Sequence, residues 1–326
     1  MSYGLPYQGS KNRIAKRLVE ALPAAPVLYD VFCGGCAVTH AAMLSGRYQR
    51  FVVNDLRGWL PDAFQKAIHG GYAHEDRWIS REDFKRLKST DAYAALCFSF
   101  GNNCRSYMYA PHLEPYKRAL HSAIFRRDFA PWAALCPETA DALVAGLVPI
   151  EDRKQRRIRA GHFIIESLKA QLAAGALTPD ILDKPIYRQI RKPKDTPHSL
   201  QSLESLERLE SLEHLERLER LESLESLPGA LTAHSGDYRE LCFDEPGIIY
   251  CDPPYKSTEG YGQDFDFDDF YAWCEHQSNP VFISEYTMPE DRFVPVAAFT
   301  VTRKMNAKKS SICHEKIWRP RCQLGI

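Results

Sequence analysis

Asp252-Pro253-Pro254-Tyr255 follows directly on the apolar run Gly247 to Cys251. Two successive prolines end a strand and stiffen the backbone, and the first presents a carbonyl that no following amide can claim. A carboxylate, a rigid carbonyl and an aromatic face then converge at the carboxyl end of a strand, where open α/β sheets bind ligands. This set suits methylation of an exocyclic amine, whose lone pair is conjugated into its ring. Asp252 and the Pro253 carbonyl, by accepting the two amine hydrogens, would favour a pyramidal nitrogen and the positive charge that develops on it. Tyr255 would stack on the base and hold it in line with a sulfonium methyl group. Taken alone, the four residues are better explained as a plain strand-terminating turn, since such tetrapeptides arise by chance.

A second segment has the residue types of a cofactor site. Asp30-Val31-Phe32-Cys33-Gly34-Gly35 ends the apolar run Val27 to Phe32 and precedes a helix predicted over about Ala37 to Ser45. A glycine turn in that place lets backbone approach a ligand. Asp55 closes the next apolar run, Phe51 to Asn54, where an acidic side chain can accept both ribose hydroxyls. A dinucleotide site is the rival reading, but the segment lacks GxGxxG.

The elements that must position these residues come next. Val27 to Phe32, the helix and Phe51 to Asn54 form one βαβ unit. Gly247 to Cys251, Val281 to Ser284 and Val296 to Thr302 read as further strands, with a closing strand near Glu315 to Trp318 and a helix over Phe267 to His276. The two ends together predict an α/β, Rossmann-like, doubly wound sheet. Residues 1–58 and 228–326 would make the catalytic domain, 59–199 a mostly helical target-recognition insert, and 200–227 a separate repeat helix.

In that repeat, leucine recurs every third residue from Leu200 to Leu227, ten times, and eight glutamates against three arginines leave a net charge of minus five. The rest of the chain is therefore plus five. A period of three cannot keep one seam on an α-helix, which argues against a coiled coil. An α-helix would wind the leucine stripe round its axis, whereas a 3₁₀-helix would line all ten leucines along one edge. Both stay open beside an irregular or disordered segment, and either helix implies a protruding acidic rod that faces away from phosphates or contacts protein.

With 326 residues, 44% hydrophobic and 26% charged, the composition excludes collagen-like, mucin-like and wholly disordered classes. Ten cysteines without a signal-peptide pattern are expected as reduced thiols, and Cys33 and Cys36 have no second pair at zinc-binding spacing, so no metal is expected. No run of about 18 apolar residues occurs, which points to a cytoplasmic protein with no membrane partner.

The ordered set of motifs resembles the Dam-type, S-adenosylmethionine-dependent DNA adenine methyltransferases. It comprises Pro6-Tyr7-Gln8-Gly9-Ser10-Lys11, DVFCGG at 30–35, Asn54-Asp55, a long insert, Gly236-Asp237-Tyr238 and CDPPY at 251–255. Phe98 to Tyr109, Glu114-Pro115-Tyr116, the triplet repeat and Lys308 to Pro320 are similar to segments of phage and mobile-element members. Cys36 stands where the family has a second motif glycine, and Val31 replaces a usual proline.

The resemblance implies methyl transfer from S-adenosylmethionine to adenine N6 of double-stranded DNA, with Asp252, Pro253 and Tyr255 catalytic. It implies Tyr7 beside the cofactor adenine, Lys11 near the cofactor and target pocket, and Asp30, Phe32, Gly34 and Gly35 on the methionine side. Asp55 would take the ribose and Asp237 the adenine amine. A base inside a duplex must then be flipped out, which gives Arg153, Lys154, Arg156, Arg157 and Arg159 a role against phosphates, with Arg188, Arg191, Lys192 and Lys194 as a second group. Tyr107 and Tyr109 could contact DNA or be buried. Cytosine N4 is the nearest alternative acceptor, and an inactive nucleic-acid-binding relative is the alternative from another class. The biological setting, whether restriction-modification, self-protection or regulation, stays open.

Overall fold

A computed structural model describes residues 2–176, 178, 181, 183–188, 210–227, 229–255, 265–306 and 309–325. The chain divides into two units, one of Met1–Ala73 with Arg217–Ile326 and one of His74–Glu216.

The first unit is built on a sheet of seven described strands: β1 (Val27–Asp30), β2 (Arg50–Asp55), β3 (Ala230–Ser235), β4 (Gly247–Cys251), β5 (Val281–Glu285), β6 (Phe293–Asn306) and β7 (Lys309–Pro320). Their order is β3-β2-β1-β4-β5-β7-β6. The first five run parallel, and the β6–β7 hairpin closes the sheet antiparallel to β5. This is the doubly wound, Rossmann-like sheet expected from the sequence. Strand order reverses between β1 and β4, which pair in register from Val27 with Gly247 to Asp30 with Tyr250. The crevice beyond the carboxyl ends of such a pair is where doubly wound sheets take ligands.

β1, β4 and β5 are buried throughout because helices cover both faces of a parallel sheet, hence their largely apolar sequences, with Asp30 and Ser284-Glu285 only at the carboxyl ends. Their core joins Tyr29, Val31, Ile249, Cys251, Phe270, Ile283, Phe293 and Trp318. Two helices match the predicted spans, Ala37–Ser45 and Phe267–His276. The first ends at Gly46 in the left-handed region, φ 65°, and the second starts where the Asp266 carboxylate accepts the amide of Asp269. β3 is not among the expected strands. Its burial alternates on the sheet edge and its sequence, Ala-Leu-Thr-Ala-His-Ser, has no apolar run.

The second unit is helical in its described residues, including Arg81–Leu87, Glu114–Arg126, Pro137–Leu147 and Arg153–Ala173. The helix Trp59–Ile68 belongs with the sheet, because its apolar face lies on β2 and β3.

The repeat combines both expected geometries. Glu210–Glu219 is α-helical and Arg220–Leu224 is 3₁₀, while Leu200 to Leu209 lie outside the described residues. Leu215, Leu218, Leu221 and Leu224 are each at most 1% exposed, so the described half is not a protruding rod. In an α-helix the leucine stripe slips by about 60° per triplet, and a change to three residues per turn stops the slip. The 3₁₀ segment packs on Ala37–Ser45 and Trp59–Ile68. Among the described residues, no helix is long and apolar enough to cross a membrane.

Candidate active site

Asp252 leaves the carboxyl end of β4 at the β1/β4 reversal, where burial and the following prolines fix it. Lys11, from a single 3₁₀ turn Lys11–Arg13, points its ammonium at Asp252 Oδ1 over 2.7 Å. The same nitrogen lies 2.5 Å from the Tyr255 hydroxyl and 3.1 Å from Glu315 Oε1 on β7. Tyr255 donates its hydroxyl proton to Glu315 Oε1 at 2.6 Å, and its ring meets Tyr286 edge-on with centroids 4.9 Å apart. Two carboxylates, one ammonium and one phenol thus close a network centred on the Lys11 nitrogen.

Its electrostatics follow from burial. Burial raises the Asp252 carboxyl, Lys11 opposes and Glu315 adds to the rise, leaving it at about 6. Burial alone would lower the Lys11 ammonium, but Asp252 and Glu315 outweigh it and hold the group above its ordinary value. Lys11 is therefore charged at neutral pH.

Glu315 is not among the expected site residues. The one signal for it is parity: it shares a face of β7 with Ile317, and both are buried, so an acidic group sits at an inward position of the predicted closing strand.

The expected cofactor residues gather beside this network. Asp30 ends β1 with Oδ2 accepting the Thr39 hydroxyl at 2.6 Å, while Oδ1 is buried and has no hydrogen-bond partner among the described residues. Burial, eased by Thr39 and reinforced by the Asp252 charge, lifts its carboxyl to about 7. The Tyr7 ring lies over the glycine turn, so a Cβ added at Gly35 would sit 2.9 Å from Tyr7 Cβ, and one at Gly34 would sit 3.3 Å from the ring. Arg57 donates to the Tyr7 hydroxyl at 3.2 Å.

Asp55 ends β2 with its two oxygens accepting the amides of Gly34 and Arg57, both at 2.9 Å; burial raises its carboxyl and those amides oppose the rise. Phe32 packs its ring among Tyr238, Phe265 and Phe270. Asp237 caps the 3₁₀ turn Tyr238–Glu240 and grips the Arg239 guanidinium at 2.6 Å, which holds its carboxyl low. Asn54, buried, ties the Val31 carbonyl to that of Gly236 at 3.1 Å each and so fixes the ends of three strands. Cys33 and Cys36 are buried thiols inside the turn.

In the second unit the five cations expected on phosphates separate. Arg156 is a correction: it is 6% exposed and braces the carbonyls of Ile124, Ile150 and Glu151 at 2.6, 3.0 and 2.6 Å. Arg157 pairs with Glu216 at 2.7 Å, and the Arg153 guanidinium lies 4.9 Å from the Phe125 ring centroid. Lys154 and Arg159 are exposed on Arg153–Ala173. Arg191, Lys192 and Lys194 lie outside the described residues, and Arg188 ends the short helix Pro185–Arg188. Tyr107 is half-buried and donates to the Ile79 carbonyl, while Tyr109 is buried and stacks on Trp78.

Residues 7–109 match the family model described as D12 class N6 adenine-specific DNA methyltransferase. The match spans Tyr7, Lys11, Asp30 and Asp55, and the similarity of this segment supports an adenine-specific DNA methyltransferase enzyme. No curated protein matches the chain. Among solved structures, an rRNA methyltransferase, aviRa from Streptomyces viridochromogenes, is 13% identical with a TM-score of 0.32 over 98% of this chain and 88% of that one.

Proposed function

We propose that the protein transfers a methyl group from S-adenosylmethionine to the N6 amine of an adenine flipped out of double-stranded DNA. The observation that carries this reading is the Lys11–Asp252–Tyr255–Glu315 network beside the strand reversal.

The residues present fit S-adenosylmethionine. The buried, unpartnered Asp30 Oδ1 is an acceptor for the methionine ammonium, and the Gly34–Gly35 turn, having no side chains of its own, lets the Tyr7 ring lie close against it. Asp55 retains lone pairs for ribose hydroxyls, with Tyr7 and Phe32 as apolar walls. Asp237 reaches the adenine amine on exchanging Arg239. When bound, this cofactor supplies an electrophilic methyl group on a sulfonium.

All else falls to the chain. Asp252 and the Pro253 carbonyl accept the two amine hydrogens and stabilise the charge growing on nitrogen. Lys11 keeps Asp252 anionic and aims its oxygen. Glu315 holds both Lys11 and the Tyr255 hydroxyl, which fixes the plane on which the adenine stacks. Once N6 is alkylated it sheds a proton, and the Asp252 carboxylate, titrating at about 6, can take it at neutral pH. Extrusion of the base needs a sequence-independent hold on the backbone, which we assign first to Lys154 and Arg159.

Asp252→Ala should lower methyl transfer at least about 100-fold, the scale of one preorganised charge-stabilising group, with S-adenosylhomocysteine affinity kept within a few-fold. Undiminished turnover would remove Asp252 from the chemistry.

A further inference from the structure

Arg217 of the triplet repeat reaches the N-terminal segment that leads to the site. Arg217 donates Nε–H to the Gly4 carbonyl at 2.8 Å and Nη2–H to the neighbouring Tyr3 carbonyl. On their other side the same two residues are held by the cofactor turn and the helix after it. The Gly4 amide donates to His40 Nδ1 at 2.9 Å, the Tyr3 ring meets His40 edge-on at 5.3 Å, and the Leu5 amide donates to the Gly35 carbonyl at 2.7 Å. The fit is tight: Gly4 has φ +64°, and a Cβ there would lie 2.1 Å from the Gly35 oxygen.

Residues 3–5 are thus clamped between the repeat and the glycine turn, and from this clamp the chain runs on to Tyr7, over the turn, and Lys11, on Asp252. A guanidinium is suited to the task, because its planar fork meets two adjacent carbonyls with two N–H groups in a fixed geometry. The leucines on either side, Leu215 and Leu218, are buried and fix the phase of the helix that carries it. Arg220, one triplet on, is exposed.

We propose that Arg217 is a positioning residue for the cofactor and target pocket, acting through the N-terminal segment that carries Tyr7 and Lys11. The triplet holding Arg217 is then a working part of the catalytic unit. Small displacements of positioning groups cost catalysis heavily, so loosening residues 3–5 acts at a distance on Lys11. The cofactor arm of this inference rests on the function proposed above; the clamp does not.

The test uses the full chain as wild type, Arg217→Ala, Arg217→Lys and Arg220→Ala, with amide hydrogen exchange over residues 3–11 and calorimetry of S-adenosylhomocysteine. Arg217→Ala should strip protection from the Gly4 and Leu5 amides and weaken S-adenosylhomocysteine about tenfold, the scale of one missing charged hydrogen bond. Arg217→Lys, able to hold one carbonyl at a time, should recover part of both, and Arg220→Ala should match wild type. Arg217→Ala with wild-type protection and affinity would overturn the inference, as would an equal loss in Arg220→Ala. Should Arg217→Ala fail to fold, Arg217→Lys decides: faster exchange than wild type at Gly4 and Leu5 supports the clamp, and unchanged exchange contradicts it. A wild type that does not bind S-adenosylhomocysteine contradicts the cofactor reading, and the exchange measurement alone then decides the clamp.

Discussion

Lys11 and Asp252 lie 241 positions apart in the chain and meet at 2.7 Å, with the Glu315 carboxylate 3.1 Å from the same ammonium. Lys11 thereby stands between two negative groups, lowering the carboxyl of Asp252 while Glu315 raises it. These opposed effects give the site a signature in pH. Activity needs the Asp252 anion, so kcat/KM should fall as pH drops through about 6. Glu315→Gln removes the charge that raises Asp252 and should move this acid limb to lower pH. Lys11→Gln removes the charge that lowers it and should move the limb to higher pH. Shifts of the same sign in both variants would show that the limb belongs to another group.

The cations of Arg153–Ala173 should separate by what they touch. Replacing exposed Lys154 and Arg159 with glutamine should flatten the salt dependence of DNA binding by roughly 0.9 in slope for each phosphate no longer neutralised, with stability unchanged. Arg156→Ala should instead destabilise the fold by about 2 kcal/mol, because buried carbonyls of Ile124 and Ile150 lose their donor. Salt titrations and urea unfolding distinguish the two effects.

The repeat yields a simple stability test. Leu221, 1% exposed in the 3₁₀ segment, should cost about 2–5 kcal/mol on truncation to alanine. On a protruding rod the same substitution would stay within about 0.5 kcal/mol. Urea denaturation reads the difference.

Much of the sheet was legible because parallel strands buried on both faces leave largely apolar runs, as Val27 to Phe32 and Gly247 to Cys251 do. The helices Ala37–Ser45 and Phe267–His276 were legible from the glycine and aspartate at their ends. β3 was not, since an edge strand with alternating burial needs no apolar run. Asp30, Asp55 and Asp252 could be placed because each ends a strand. Glu315 and Arg217 could not, because their roles come from side chains crossing to Lys11 and to the Tyr3 and Gly4 backbone, and neither stands in a local motif. Arg156 misled for the converse reason: five cations in a row signal charge, while the helix phase that buries one of them shows only once the helix is packed.

Methyl transfer to adenine is read most directly by incubating the purified protein with methyl-labelled S-adenosylmethionine and duplex DNA, digesting the product to nucleosides and identifying the labelled base. Label is expected in N6-methyladenine, with little or none from Asp252→Ala. Label in N4-methylcytosine would contradict the assignment of the acceptor, and no label in any base from folded protein that binds S-adenosylhomocysteine would contradict methyl transfer to DNA.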